Sequence, residues 1–101
     1  MITKLKLYTD EIIAMCNDII KLNHSPNIFV VKAIKREFES IQHTITRDKK
    51  IVVLTKNKDI WASKLIIDSA NLEYDSNLFN KVFVFEKLCK KLLRTQIKIQ
   101  Y

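Results

Sequence analysis

The chain has 101 residues, 48% of them hydrophobic, with a net charge of +7, a single proline and no glycine. That is one domain with enough apolar content for a core of its own, which weighs against disorder. The missing glycine weighs against hairpin-rich β architecture and against phosphate-cradling loops, so Rossmann and P-loop chemistry are not expected.

Four helices are predicted in chain order. The first spans 4–23, where Leu5, Tyr8, Ile12, Met15 or Cys16, and Ile19 form an apolar stripe flanked by Ile13 and Ile20. Asp10, Asn17, Asp18 and Lys21 fall opposite. Asn23-His24-Ser25-Pro26 ends it, because proline cannot continue the hydrogen-bond ladder. Ser25-Pro26 also reads as a start signal, with Ser25 as N-cap and Pro26 at the first helical position. The second helix is placed at 26–47, with Val31, Ile34, Phe38, Ile41 and Ile45 inward and Lys32, Lys35 and Glu39 outward.

Ile51-Val52-Val53-Leu54 is a short apolar run that periodicity alone assigns neither to a strand nor to the start of a helix. With no partner strand in the sequence, a loop followed by a helix is the expectation. The third helix, 58–71, has Trp61 and Leu65 on one side and Ala62, Ile66, Ser69 and Ala70 on the next, small enough for close helix approach. An acidic turn over 72–76 follows, and Asp75 or Ser76 is the expected cap of the fourth helix, 76–95. In that helix Leu78, Val82, Phe85, Cys89 and Leu92 make a core stripe, and Lys87, Lys90, Lys91, Arg94 and Lys98 make an opposing basic one. Its first turns, with Leu78, Phe79, Val82, Phe83, Val84 and Phe85, are apolar almost all round, as a central helix or a partner-covered one would be. From Arg94 onward apolar and polar residues alternate, compatible with a frayed helix end or an extended tail. The expected fold is all-α: one domain, an antiparallel four-helix bundle.

Chemistry-bearing patterns are weak. Cys16, His24, His43 and Cys89 lack metal-ligand spacing, so no metal or other cofactor is expected. Both cysteines lie on apolar stripes, where a thiolate is unfavourable, and are read as buried free thiols. With no paired carboxylates either, neither an enzyme nor a small-molecule substrate is expected. The N-terminus shows no secretory pattern, and no apolar run approaches a membrane span, which predicts a cytoplasmic chain.

Charge is the stronger signal. Residues 1–31 balance, 47–58 and 87–101 carry +4 and +5, and 59–86 carry −3. Such patches meet nucleic acid, an anionic membrane face or an acidic protein, or simply form a solvated face. Nucleic-acid binding through the lysine stripe would be non-specific, because Leu78-Phe79 is the wrong chemistry at the start of a base-reading helix.

Val53-Leu54-Thr55-Lys56 leading to Ile60, Trp61 and Leu65, and Asn71-Leu72-Glu73-Tyr74 followed by Leu78, carry a resemblance. They resemble the corresponding stretches of the immunity proteins of pediocin-like (enterocin A type) bacteriocins. By order and spacing of helices the likeness covers roughly 28–93, with Lys56 and Asn57 standing where the family usually has Arg and Leu. The resemblance implies an antiparallel four-helix bundle that protects the producing cell from inside. It implies recognition of a toxin-engaged membrane receptor, a sugar-phosphotransferase permease, at the inner membrane face. Specificity in that family lies in the C-terminal half, here Ile60 to Tyr101. The expected contact residues are Phe79, Phe83, Lys87, Lys90, Lys91, Arg94 and Lys98. A small nucleic-acid-binding protein, an inhibitor or accessory protein of a mobile element, and a homodimer through the Phe-rich helix are the alternatives.

Overall fold

A computed structural model describes the backbone over 2–48 and 61–99 and the side chains over 4–43 and 62–91. These residues form four helices and no strand: α1 (Ile2–Leu22), α2 (Ile28–Asp48), α3 (Trp61–Ser69) and α4 (Ser76–Ile99). The apolar run 51–54 and the predicted start of the third helix at 58 lie outside the described residues.

Contacts fix the directions. Gln42 of α2 donates to Asp10 of α1 at 2.5 Å, as two helices folded back across a short link require. Lys81 pairs with Glu11 midway along α1, while Asp75 and Ile19 share a hollow farther along, so α4 runs against α1. Ser63 donates to Glu86, which sets α3 against α4 across the turn between them. Phe38 and Phe85 meet at 5.1 Å and Asn27 reaches Asp75, so α2 and α4 run the same way. The result is an up-down-up-down bundle with both tight turns at one end.

Its core follows the helical stripes. Leu5, Ile12 and Cys16 come from α1, Val31, Ile34, Phe38 and Ile41 from α2, Ala62 and Ile66 from α3, and Leu78, Val82, Phe85 and Cys89 from α4. Each such large side chain contributes about 1.5–3 kcal/mol through its removal from water. Phe38 and Phe85 cross edge-to-face at 66°, the arrangement their ring quadrupoles favour. Ala62 and Ser63, both buried, let α3 pack closely between its neighbours. Ser69, expected on the same inward side, is exposed, because α3 ends there and the chain turns away. Thr9 is buried among the apolar residues of α1 at little cost, since its hydroxyl donates to the Leu5 carbonyl one turn back at 2.8 Å.

Without glycine, Asn and Asp take the left-handed positions. Asn23 follows α1 at φ 53° and donates its N–H to Ile19 O at 3.0 Å, closing that helix. Asp75 precedes α4 at φ 60°, and its carbonyl accepts the first bond of the helix from Phe79 at 3.1 Å. Against the predicted limits, α1 spans 2–22 rather than 4–23 and α2 ends at Asp48 rather than 47, and three further limits differ. Regular α2 begins at Ile28 rather than Pro26: Val31 donates to Asn27 O at 2.8 Å, while Ser25 Oγ accepts from the Asn27 N–H at 3.0 Å, which makes Ser25-Pro26-Asn27 a lead-in turn. α3 stops at Ser69, two residues early, because Asn71 is drawn into the turn. α4 continues to Ile99, past the predicted 95, so the alternating stretch from Arg94 is helical up to that residue.

Candidate functional site

The basic side of α4 was the expected contact surface, and the structure divides its residues. Phe79 is 2% exposed and belongs to the core, so its assignment as a contact residue is corrected: its ring sits inward with Leu78 and Val82. Phe83 is half-buried and packs against the same core, leaving Val84, 43% exposed, as the outward apolar residue of those turns. The nearly all-round apolar start of α4 is thus mostly absorbed by the bundle. Lys87, Lys90 and Lys91 face solvent. The side chains of Arg94 and Lys98 lie outside the described residues, although the backbone there is helical.

Lys90 is tied back. Its ammonium lies 3.2 Å from Glu86, whose other carboxylate oxygen accepts from the Ser63 hydroxyl. Glu86 therefore links α3 to the first turn of the basic stripe. Register adds a second feature. Extending the Glu11–Lys81 and Ser63–Glu86 pairings sets the starts of α1 and α3 level with about residue 90 of α4. The helix then runs on to Ile99, about 14 Å beyond that level at 1.5 Å per residue.

The opposite end is built around Asn27, which is 3% exposed. Its amide nitrogen donates to Asn71 O at 2.9 Å and to Asp75 Oδ2 at 3.1 Å, with Tyr74 O a marginal third acceptor at 3.4 Å. Its amide oxygen accepts from the Asn71 N–H at 2.7 Å. Ser25 donates to the same Asp75 oxygen, and Asn71 shapes its own turn by accepting from Glu73 N–H at 3.1 Å. Asp75, which with Ser76 was one of the two expected caps of α4, holds the cap position with its carbonyl and directs its carboxylate across to Ser25 and Asn27. One asparagine thus joins the α1–α2 turn to the α3–α4 turn. Sequence reading passed over it, because Ser25-Pro26 already accounted for the start of α2. The available signal was an Asn following a helix-start pair in a chain without glycine.

Beside this node two adjoining hollows of about 330 and 200 Å³ share Ile19 and Asp75. Met15, Asp18 and Leu78 line the larger, and Leu22, His24 and Tyr74 the smaller.

The thiols are placed for packing. Burial pushes Cys16 up to about 12, with Lys35 working weakly against it, and pushes Cys89 up to about 12 with a further push from Glu86. Both are free, and the α1–α4 register sets them toward opposite ends of the bundle, too far apart to be bridged. Among the described residues no three His, Cys, Asp or Glu side chains converge as metal ligands would, and no helix is long and apolar enough to cross a membrane. Comparison with protein families, with characterised proteins and with solved structures finds no match in any of the three.

Proposed function

We propose that this chain is a non-enzymatic binding protein that acts from the cytoplasmic side, and within that class an immunity protein of the pediocin-like kind. Its partner in this reading is the membrane receptor, a sugar-phosphotransferase permease, with bacteriocin bound. The observation that carries binding over catalysis is the sorting of side chains. The nucleophilic thiols are buried and held protonated, whereas Lys87, Lys90 and Lys91 form the exposed side of α4. The observation that favours the immunity reading is the run of α4 past the starts of α1 and α3. The last turns of α4, part of the half where the resemblance puts specificity, thereby extend past two of the three other helices. A basic helix side also suits the anionic inner face of a membrane.

The test is expression of the chain in a bacteriocin-sensitive strain. Survival at toxin levels that kill the vector control is expected, with loss of protection in the Lys87→Ser/Lys91→Ser variant. Equal killing of both strains across the pediocin-like toxins would sink the reading. Nucleic acid is the second reading, favoured by the same three lysines. Duplex and single-stranded binding that falls steeply with salt would favour it, because counterion release makes that dependence unavoidable. No binding at low salt would remove it.

A further inference from the structure

Two features meet at the turn end of the bundle. It exposes large apolar side chains: Phe29 is 89% exposed, Leu22 67%, Leu72 54% and Tyr74 53%. A single exposed leucine means little, but of these four Leu22 and Tyr74 line the same hollow, which marks a candidate interaction surface. This end is also acidic. Asp18 and Asp75 line the larger hollow, Glu73 stands in the adjoining turn, and among the described residues no lysine or arginine lines either hollow, so these acids outnumber Lys21, the base of the last turn of α1, in a chain whose net charge is +7. Lys87, Lys90 and Lys91 lie along the far part of α4.

We propose that the groove between the end of α1 and the start of α4 docks a basic, amphipathic polypeptide segment of a partner protein. This surface is separate from the lysine side of α4 and does not depend on the immunity reading. The two hollows adjoin at Ile19 and Asp75, with Met15 and Ile19, over the buried Leu78, flooring the larger and with Leu22 and Tyr74 lining the smaller. The floor takes apolar side chains from a helix or strand laid along it. Asp18, exposed on the α1 rim, is the charge that a lysine or arginine of the guest meets. Asp75 adds negative potential from the other wall while its carboxylate stays bonded to Ser25 and Asn27.

Charge selects among occupants. An anionic membrane would be repelled by Asp18, Glu73 and Asp75. A second copy docking the same face would set these acids against each other. A cationic guest, repelled by the chain as a whole, finds its favourable potential here, which fixes both site and orientation. The walls are also preorganised, since the Asn27 node fixes the two turns relative to each other before anything binds.

The probe is a short fluorescein-labelled Leu/Lys peptide with helical apolar spacing, added to the full chain and followed by anisotropy and by amide chemical shifts. Binding is expected, with shifts concentrated over 15–24 and 74–78, and none with a Leu/Glu counterpart. Asp18→Lys combined with Leu22→Ser alters exposed side chains only and should weaken binding roughly ten-fold. Tyr74→Ser should weaken it independently. Lys87→Ser/Lys91→Ser should leave it unchanged. No binding, shifts centred elsewhere, or unchanged affinity in the folded double variant would overturn the proposal. Concentration-dependent self-association abolished by Asp18→Lys would assign the groove to a second copy and overturn it as well.

Discussion

Two of the polar nodes that cross between helices in this bundle are built on opposite principles. At the turn end Asn27 is a neutral amide, buried, with most of its bonds going to the backbone of the other turn. Along α3 and α4 Glu86 is a carboxylate whose side chain keeps 14% exposure and whose partners are the Ser63 hydroxyl and the half-exposed Lys90. Burying an amide whose hydrogen bonds are met costs little, and removing it leaves several groups unpaired at once. A charge is costlier to bury, so Glu86 sits where its lysine still touches water, and the net gain of such a pair is small. The first node fixes chain geometry; the second adjusts the edge of a surface.

The sharpest way to break this contrast is Asn27→Ala. It strips partners from Asn71 N–H, Asn71 O and Asp75 together, and a loss of about 2–4 kcal/mol is expected, read as a lower midpoint in urea unfolding with unchanged slope. Asn27→Asp keeps the shape but replaces the donating nitrogen with an oxygen facing Asp75. A comparable loss is expected there. Stability restored by Asp would mean the site needs only volume, and the node would not be the tie described here.

The thiols provide a second comparison, because one lies near each node: Asp75 contributes to the rise at Cys16 and Glu86 to that at Cys89. In the folded chain both are pushed up to about 12 from an ordinary value of 9.0, chiefly by burial. As pH rises through the ordinary value, the unfolded chain releases these protons first. Stability is therefore fully present below about pH 9 and declines from there toward pH 12, by at most about 1.4 kcal/mol per pH unit for each thiol. Urea titrations at pH 8 and pH 10 should show a difference of about 1–3 kcal/mol that shrinks in Cys16→Ala/Cys89→Ala. An equally steep decline in that variant would show that other groups cause it.

Much of this architecture was legible in the chain. The stripes Leu5-Ile12-Cys16, Val31-Ile34-Phe38-Ile41 and Leu78-Val82-Phe85-Cys89 were read from spacing alone, because a helix core repeats every three or four residues and these do. What spacing does not reveal is which polar residue is spent on another turn. Asn27 and Asp75 carry local signals for a helix start, and only their meeting across more than forty residues of sequence gives them a common role. Phe79 was misread for a related reason. At the start of α4 two neighbouring helices take up more of the circumference than one stripe, so a ring beside the main stripe is buried as deeply as the stripe itself. The acidic groove escaped notice because Asp18 was assigned to the solvent side of α1, and nothing local in the sequence says that α4 begins beside it.

The smallest expected effects lie at the second node. Ser63→Ala removes a buried hydroxyl together with its acceptor's partner, and about 1 kcal/mol is expected, since Glu86 retains Lys90 and some water. Lys90→Ser should cost still less, under about 0.5 kcal/mol, because the lysine of this pair is half-exposed, one helical turn from Glu86, and gains little over its hydrated state. The informative measurement is Lys90→Ser against Lys87→Ser, since only Lys90 is held to Glu86. Equal unfolding midpoints would place both lysines on a surface that folding does not require. A midpoint drop confined to Lys90→Ser, and removed in a Glu86→Gln background, would instead make that lysine part of the α3–α4 interface. The basic side of α4 would then begin at Lys91 and lie mostly on the turns that run beyond α1 and α3.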